Sequence, residues 1–356
     1  MSNNINHLPH HNFMKLAIIL LLLFPCITLA QYGNPTEAYT HQSIIKKKDT
    51  IRYHIYSKRK LEDQQKILLF FHGSGGEPLY SEVTVYDTIQ VEENGELVEK
   101  VQKQIYLGSS VPFDLNTIPE ECAFIVISKK GVPFKSNDEQ YTAGRLFIEN
   151  EGLDYRVWQG NEVINHLLKK HIKKPSHVMI LGHSEGSDVV AKLGHVNKHV
   201  THVGFLAGGG NTQYYDFALF IQKEVQRGNI TQEEGVAHLD SLFSDLKRIE
   251  DDPNSTSKQW YGHAHRRWSH FNEAPIDNLL KIDKPLFVAV AGQDQSVPVE
   301  SSLLIPIEFI RHHKENLTYK IYPNLDHGFS VPPSNENEEW DWQMMTVFEA
   351  FLEWAN

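Results

Sequence analysis

Residues 177–193 read His-Val-Met-Ile-Leu-Gly-His-Ser-Glu-Gly-Ser-Asp-Val-Val-Ala-Lys-Leu. Val178 to Leu181 form a short apolar run without alternation, as expected for a strand covered on both faces of a sheet. Asp188 to Leu193 carry helix-compatible residues. Between the two lies Gly182-His183-Ser184-Glu185-Gly186, a serine flanked two positions away on each side by glycine. A strand that passes directly into a helix through such a turn projects its serine from a sharply bent backbone, and the glycines leave room for the bend. Three fixed positions of this kind recur by chance roughly 0.1 times in a chain of this length. The surrounding elements therefore decide how much the motif means.

Working outward, similar short apolar runs occur at Ile67–Phe71, Phe124–Ile127, Val203–Leu206 and Leu286–Val290. Helical patterns separate them, such as Asp154–His171 with Val157, Trp158, Val163, Ile164, Leu167 and Leu168 at helix-like spacing. This alternation predicts an α/β fold: a doubly wound, mostly parallel sheet covered by helices. Thr50–Tyr56 alternates instead and reads as a half-buried antiparallel edge strand, while Trp340–Trp354 reads as a closing helix. Two segments interrupt the order. Residues 80–118 surround Asn94-Gly95, a two-residue hairpin signal, and predict a β-ribbon insertion. Residues 211–280 are helical by pattern, with Thr231-Gln232-Glu233-Glu234 as a capping box ahead of Val236, Leu239, Leu242, Phe243 and Leu246, and predict a cap over the sheet. The expected order is a signal segment (1–30), a first part of the core (31–210), the cap (211–280) and a second part of the core (281–356).

Ser184 needs a base and an acid, and the chain supplies both in the order nucleophile, acid, base, each after a strand. Asp294 lies in Gly292-Gln293-Asp294-Gln295-Ser296-Val297-Pro298, and His327 in Asp326-His327-Gly328-Phe329. Such a set lets His327 take the Ser184 proton and return it to a leaving group, with Asp294 holding the imidazole tautomer. His72-Gly73-Ser74-Gly75-Gly76, after the Ile67–Phe71 run, can aim backbone N–H groups at an oxyanion. Ser74 is the first choice of donor and Gly75 the second, supplemented by the N–H of Glu185. The Glu185 side chain is expected to face solvent or make a local hydrogen bond. His72 and His183 are expected to support their loops, and Asp326 to be a bystander rather than the acid partner of His327.

The order of strand, HGSGG, GHSEG, GQDQSVP and DHGF resembles the α/β-hydrolase superfamily over about residues 42–355. Within it the chain is similar to secreted esterases and to the dienelactone-hydrolase, acyl-thioesterase and prolyl-oligopeptidase-like branches. The resemblance implies an eight-stranded sheet and hydrolysis of an ester, thioester or amide through an acyl-enzyme on Ser184, with no cofactor. The expected partner is a small-molecule ester, thioester or short peptide. A peptidase or amidase of the same fold, and a non-catalytic small-molecule binding protein on this scaffold, remain open.

In the cap, Trp260-Tyr261-Gly262-His263-Ala264-His265-Arg266-Arg267-Trp268 stands out. Arg266 or Arg267 could hold a substrate carboxylate or phosphate, with Trp260 and Trp268 shaping a pocket. The same residues could equally pack the cap and pair with an acidic body. His263 and His265 fall on opposite sides of a helix, so no metal site is expected there.

Composition narrows the classes further. The net charge of −11 disfavours binding nucleic acid through a general basic surface. Lys15, the apolar run Leu16–Phe24 and Thr28-Leu29-Ala30 read as a signal peptide with a mature start at Gln31, since the run is too short to span a bilayer. Met14-Lys15 would make a more ordinary signal start than Met1, because residues 1–13 carry histidines but no Lys or Arg. Export to the periplasm or outside is therefore expected, with no stable membrane insertion afterwards. Of the two cysteines, Cys26 lies in that segment, leaving Cys122 as a small, partly buried residue at a strand start.

Overall fold

The computed structural model describes residues 35–93, 96–138, 140–335 and 338–356, with the backbone of 27–28. The expected signal segment, save those two residues, and the turn expected at Asn94-Gly95 lie outside the described residues. Eight strands form one sheet. In chain order they are β1 (Tyr39–Lys46), β2 (Asp49–Tyr56), β3 (Lys66–Phe71), β6 (Cys122–Ile127), β7 (His177–His183), β8 (His202–Leu206), β9 (Leu286–Ala291) and β10 (Leu317–Tyr322). The numbers β4 (Tyr80–Glu93) and β5 (Glu96–Ser109) belong to the ribbon, whose antiparallel register pairs Glu93 with Glu96.

Across the sheet the order is β1-β2-β6-β3-β7-β8-β9-β10. From β6 to β10 neighbouring strands are parallel, while β1, β2 and β6 pair antiparallel. Thr50–Tyr56 is thus not an edge strand. Tyr39–Lys46 takes the edge, with four of its central residues exposed, and covers β2, which is why Tyr53 to Tyr56 are all buried rather than alternating.

Both faces of the parallel strands are covered, as their unbroken apolar runs require. In β3, Ile67, Leu69 and Phe71 join one core and Leu68 and Phe70 the other. The first core is closed by α1 (Leu153–Lys170) and α2 (Glu185–Val196), through Val163, Ile164, Leu167, Val189, Val190 and Leu193. Each side chain of this size stabilises the fold by about 1.5–3 kcal/mol when fully buried. The second core is closed by the last helix, α8 (Met344–Trp354), which buries Met344, Val347, Phe348, Phe351 and Leu352. It starts four residues later than its pattern predicts because Asp341–Trp342 pairs as a short strand with Ser330–Val331.

The cap consists of α3 (Gln213–Gln226), α4 (Gln232–Asp251), a two-residue hairpin (Gln259–Trp260 with His263–Ala264), α5 (His265–His270) and α6 (Pro275–Leu279). Then α7 (Val299–Arg311) returns the chain to the sheet. The capping box at Thr231 forms, with both reciprocal bonds to Glu234 present. Not every apolar residue of α4 turns inward: Leu242 and Ile249 are buried, but Val236 and Phe243 are exposed. The chain leaves β3 toward β6 on one side and later enters β7 on the other. The gap above the carboxyl ends of β3 and β7 is therefore the switch point at which open α/β sheets place their sites.

Candidate active site

Ser184 sits at that switch point, between the end of β7 and the first turn of α2, with φ 56° and ψ −126°. Few side chains tolerate this backbone, which costs on the order of 1–3 kcal/mol and persists only where the surroundings enforce it. Here they do. Ser184 N–H donates to Leu206 O at 3.0 Å, and α2 is pressed so close to the sheet that a Cβ on Gly186 would lie 1.9 Å from Phe71 O. A Cβ on Gly182 would lie 2.0 Å from Gly186 O, so both motif glycines are required by backbone approach. The helix N-terminus beside Ser184 favours negative charge there.

His327 and Asp294 lie on the loops after β10 and β9. His327 Nδ1 bonds Asp294 Oδ2 at 2.8 Å, and Asp294 Oδ1 accepts from Ser296 N and Val297 N, both at 2.8 Å. These bonds fix the carboxylate and make Nδ1 the protonated nitrogen of His327, leaving Nε2 free to accept a proton. Burial alone would lower the His327 pKa, but the charge and hydrogen bond of Asp294 outweigh it and raise it above 6.5. Asp326 is spent locally: its Oδ1 accepts from Gly328 N, Ser330 N and Ser330 Oγ. His183 bridges to the His327 loop, its Nε2–H donating to His327 O at 2.8 Å. Burial, with His327 nearby, pushes the His183 pKa down to about 4, so it is a neutral strut.

The turn after β3 runs beside the serine, since a Cβ on Gly73 would meet Ser184 Cβ at 3.3 Å and Oγ at 3.6 Å. Gly75 adopts φ +88°. The turn's carbonyls are held from below. Lys129 Nζ donates to Gly73 O at 2.6 Å and Gly75 O at 2.7 Å, and Arg156 Nη1 donates to His72 O at 3.0 Å.

Glu185 departs most from expectation. Its side chain does not face solvent but is 1% exposed, between Lys129 Nζ at 3.4 Å, Arg156 Nη1 at 3.1 Å and Arg267 Nη2 at 2.9 Å. Burial would raise its pKa, yet Lys129, Arg267 and Arg156 hold it far below the usual carboxylate range. The Lys129 ammonium is pushed down to about 8 by burial, with Glu185 opposing.

Arg267 is corrected by the same contacts. It is buried, bonds Glu185 and Gln213 Oε1, and stacks on Trp268 with its guanidinium carbon 4.2 Å from the ring centroid. It is a cap-to-body tie rather than a free anion holder. Arg266 donates to Asn254 Oδ1 at 3.2 Å within the cap. Trp260 Nε1 donates to Asp245 Oδ2, Trp268 Nε1 donates to Trp260 O, and their rings meet at 4.9 Å, so both pack the cap onto itself.

The Dienelactone hydrolase family model matches residues 252–354, the stretch that carries Asp294 and His327. An acylaminoacyl peptidase of Pyrococcus horikoshii superposes with TM-score 0.53 at 14% identity, over 96% of this chain and 43% of its own. A puromycin-hydrolyzing peptidase of Mycobacterium tuberculosis gives 0.51 at 12% identity, over 85% of this chain and 38% of its own. An esterase of Pyrococcus furiosus gives 0.50 at 10% identity, over 94% and 98%.

The chain has the α/β-hydrolase fold. It spans less than half the length of the two peptidases. No curated protein sequence matches it.

Within this fold the residues that sequence reading missed are Lys129 and Arg156. Arg156 carried a signal, because it falls on the stripe of α1 shared by Leu153, Val157, Gly160, Val163 and Leu167, all of them buried. A charge on an apolar stripe must find a partner inside. Lys129, two residues past β6, carried none. Cys122 is buried at the start of β6, where burial pushes its thiol up to about 12.

Proposed function

We propose that the chain is a serine hydrolase that cleaves a carboxylic ester or thioester through an acyl-enzyme on Ser184. The observation that carries the reading is the 2.8 Å bond between His327 and Asp294, held next to the Ser184 turn by the bond from His183 to His327 O. In this mechanism Ser184 Oγ attacks the carbonyl carbon while His327 Nε2 takes its proton. The tetrahedral oxyanion is stabilised by Glu185 N–H and by an N–H of the His72–Gly76 turn. His327 then protonates the leaving group, and water repeats the sequence to release the acid. Asp294 stabilises the imidazolium through its bond to Nδ1. The family match over the segment bearing Asp294 and His327 supports hydrolytic chemistry without naming the acyl or leaving group.

The test is intact mass of the folded protein after exposure to a fluorophosphonate, with peptide mapping. One adduct on the peptide containing Ser184 is expected; no adduct on folded protein would sink the reading. An adduct accompanied by cleavage of peptides but not esters would redirect it to a peptidase. The pH dependence follows from the raised His327 pKa. His327 must be neutral to act as base, so kcat/KM on an activated ester is expected to be low in acid and to rise to a plateau, with its midpoint above 6.5. A rate flat from about pH 5 to 8 would contradict that role.

We further infer that the chain is exported, on the strength of the Lys15–Ala30 sequence alone. Expressed in a bacterial host with its leader, the protein is expected to be recovered outside the cytoplasm with Gln31 as first residue. An intact leader on cytoplasmic protein would refute export.

A further inference from the structure

Three carbonyls of the His72–Gly76 turn point at buried cations: His72 O at Arg156, and Gly73 O and Gly75 O at Lys129. A trans peptide is planar, and its C=O and N–H point in opposite directions. A carbonyl pinned inward therefore sends the N–H of the following residue outward. Pinning Gly73 O turns Ser74 N–H away from Lys129, and pinning Gly75 O does the same for Gly76 N–H. The turn lies beside Ser184, as the 3.6 Å approach of a Cβ on Gly73 to Ser184 Oγ shows. A charge-assisted bond to the carbonyl also polarises that peptide and strengthens its N–H as a donor.

Lys129 is itself held by Glu185. One oxygen of that carboxylate faces Lys129 and Arg156 and the other faces Arg267. The backbone N–H of the same residue opens α2 next to the nucleophile. The residue that offers one oxyanion donor thus clamps, with its side chain, the cation that aims the other.

We propose that Lys129 is a positioning residue of the oxyanion site: through Gly73 O it orients and polarises the peptide whose N–H, that of Ser74, receives the oxyanion, and Glu185 locks it there. This rests on the serine-hydrolase reading above. Lys129 does not touch substrate, because its side chain is 4% exposed and its Nζ is occupied by two carbonyls and a carboxylate.

The experiment compares wild type, Lys129→Met and Lys129→Gln on an activated ester and on its thiono analogue, in which sulfur replaces the carbonyl oxygen. Sulfur is a weak acceptor, so the analogue draws little from oriented N–H donors. For the oxygen ester, Lys129→Met is expected to lower kcat on the order of 10²-fold. Its KM should stay within about threefold, the pattern of a lost transition-state interaction. The thiono ester should lose far less, so the oxygen-to-sulfur rate ratio collapses. Glutamine can still donate to one carbonyl and should fall between. A general loosening of the fold would slow both substrates alike.

If wild type gives no fluorophosphonate adduct and Ser184→Ala matches it in rate, the hydrolase reading fails, whatever Lys129 does. If wild type is active, an unchanged oxygen-to-sulfur ratio in the Lys129 variants overturns the proposal. Lys129→Gln carries the same comparison should the methionine variant show no thermal unfolding transition.

Discussion

Ser184→Ala is expected to reduce kcat on an activated ester by about 10⁶-fold, the loss typical of removing a nucleophile from a serine triad, while the thermal transition stays within a few degrees of wild type. What rate remains would come from the oxyanion donors and substrate binding alone. Asp294→Asn is expected to cost about 10⁴-fold, because the amide in place of Oδ2 can present its NH2 to His327 and favour the tautomer with the proton on Nε2. The bonds from Ser296 N and Val297 N to Oδ1 would hold the side chain in place, so this loss should come without unfolding. Ser184→Gly separates strain from chemistry. It should be as inactive as the alanine variant, but its Tm should rise, since glycine adopts φ 56° freely. Steady-state kinetics beside thermal melts tests all three. An alanine variant within tenfold of wild type would remove Ser184 from the mechanism, and a glycine variant of lowered Tm would show that the turn is not strained.

Glu185→Ala is expected to cost about 3–5 kcal/mol of stability, because it leaves buried cations without their counter-charge. Lys129, Arg156 and Arg267 are each 4–6% exposed at the side chain and converge on this carboxylate. Glu185→Gln should cost less, since the amide oxygen still accepts from a guanidinium. The pH dependence has a definite sign. The folded carboxyl is held below its unfolded value of about 4.3, so its stabilising contribution is full above that value and fades as pH falls toward the folded pKa. The gap in stability between wild type and Glu185→Ala should therefore be widest near neutral pH and narrow below about pH 4. Denaturant unfolding at several pH values measures it. A variant as stable as wild type at pH 7 would mean that water or an anion replaces the carboxylate at no cost.

Some of this was written locally in the chain. Apolar runs of four to six residues with no alternation can be satisfied only in a sheet covered on both sides, so β3, β6, β7, β8 and β9 were legible as parallel core strands. The Ser184 turn was legible because its glycines answer a steric demand from residues close in sequence, such as the approach of Gly182 to Gly186. Asn94-Gly95 and the Thr231–Glu234 box are likewise short-range chemistry.

Other features depended on neighbours that no local pattern reveals. Thr50–Tyr56 read as an edge because its alternation was visible, whereas the strand that covers it, Tyr39–Lys46, is mostly exposed and has no apolar run. Glu185 reads as solvent-facing or locally hydrogen-bonded, because nothing near it in sequence offers a buried cation. Its burial follows from Lys129, Arg156 and Arg267, brought to it from 56, 29 and 82 residues away. Sequence alone thus determined which residues could form a nucleophile, base and acid, and in which order the sheet would present them, because backbone sterics and apolar periodicity act over a few residues. The tertiary structure decided which way the charges of Glu185, Lys129, Arg156 and Arg267 turn. A buried charge is tolerated only where opposite charge lies within a few ångströms, and only the packed fold sets that distance.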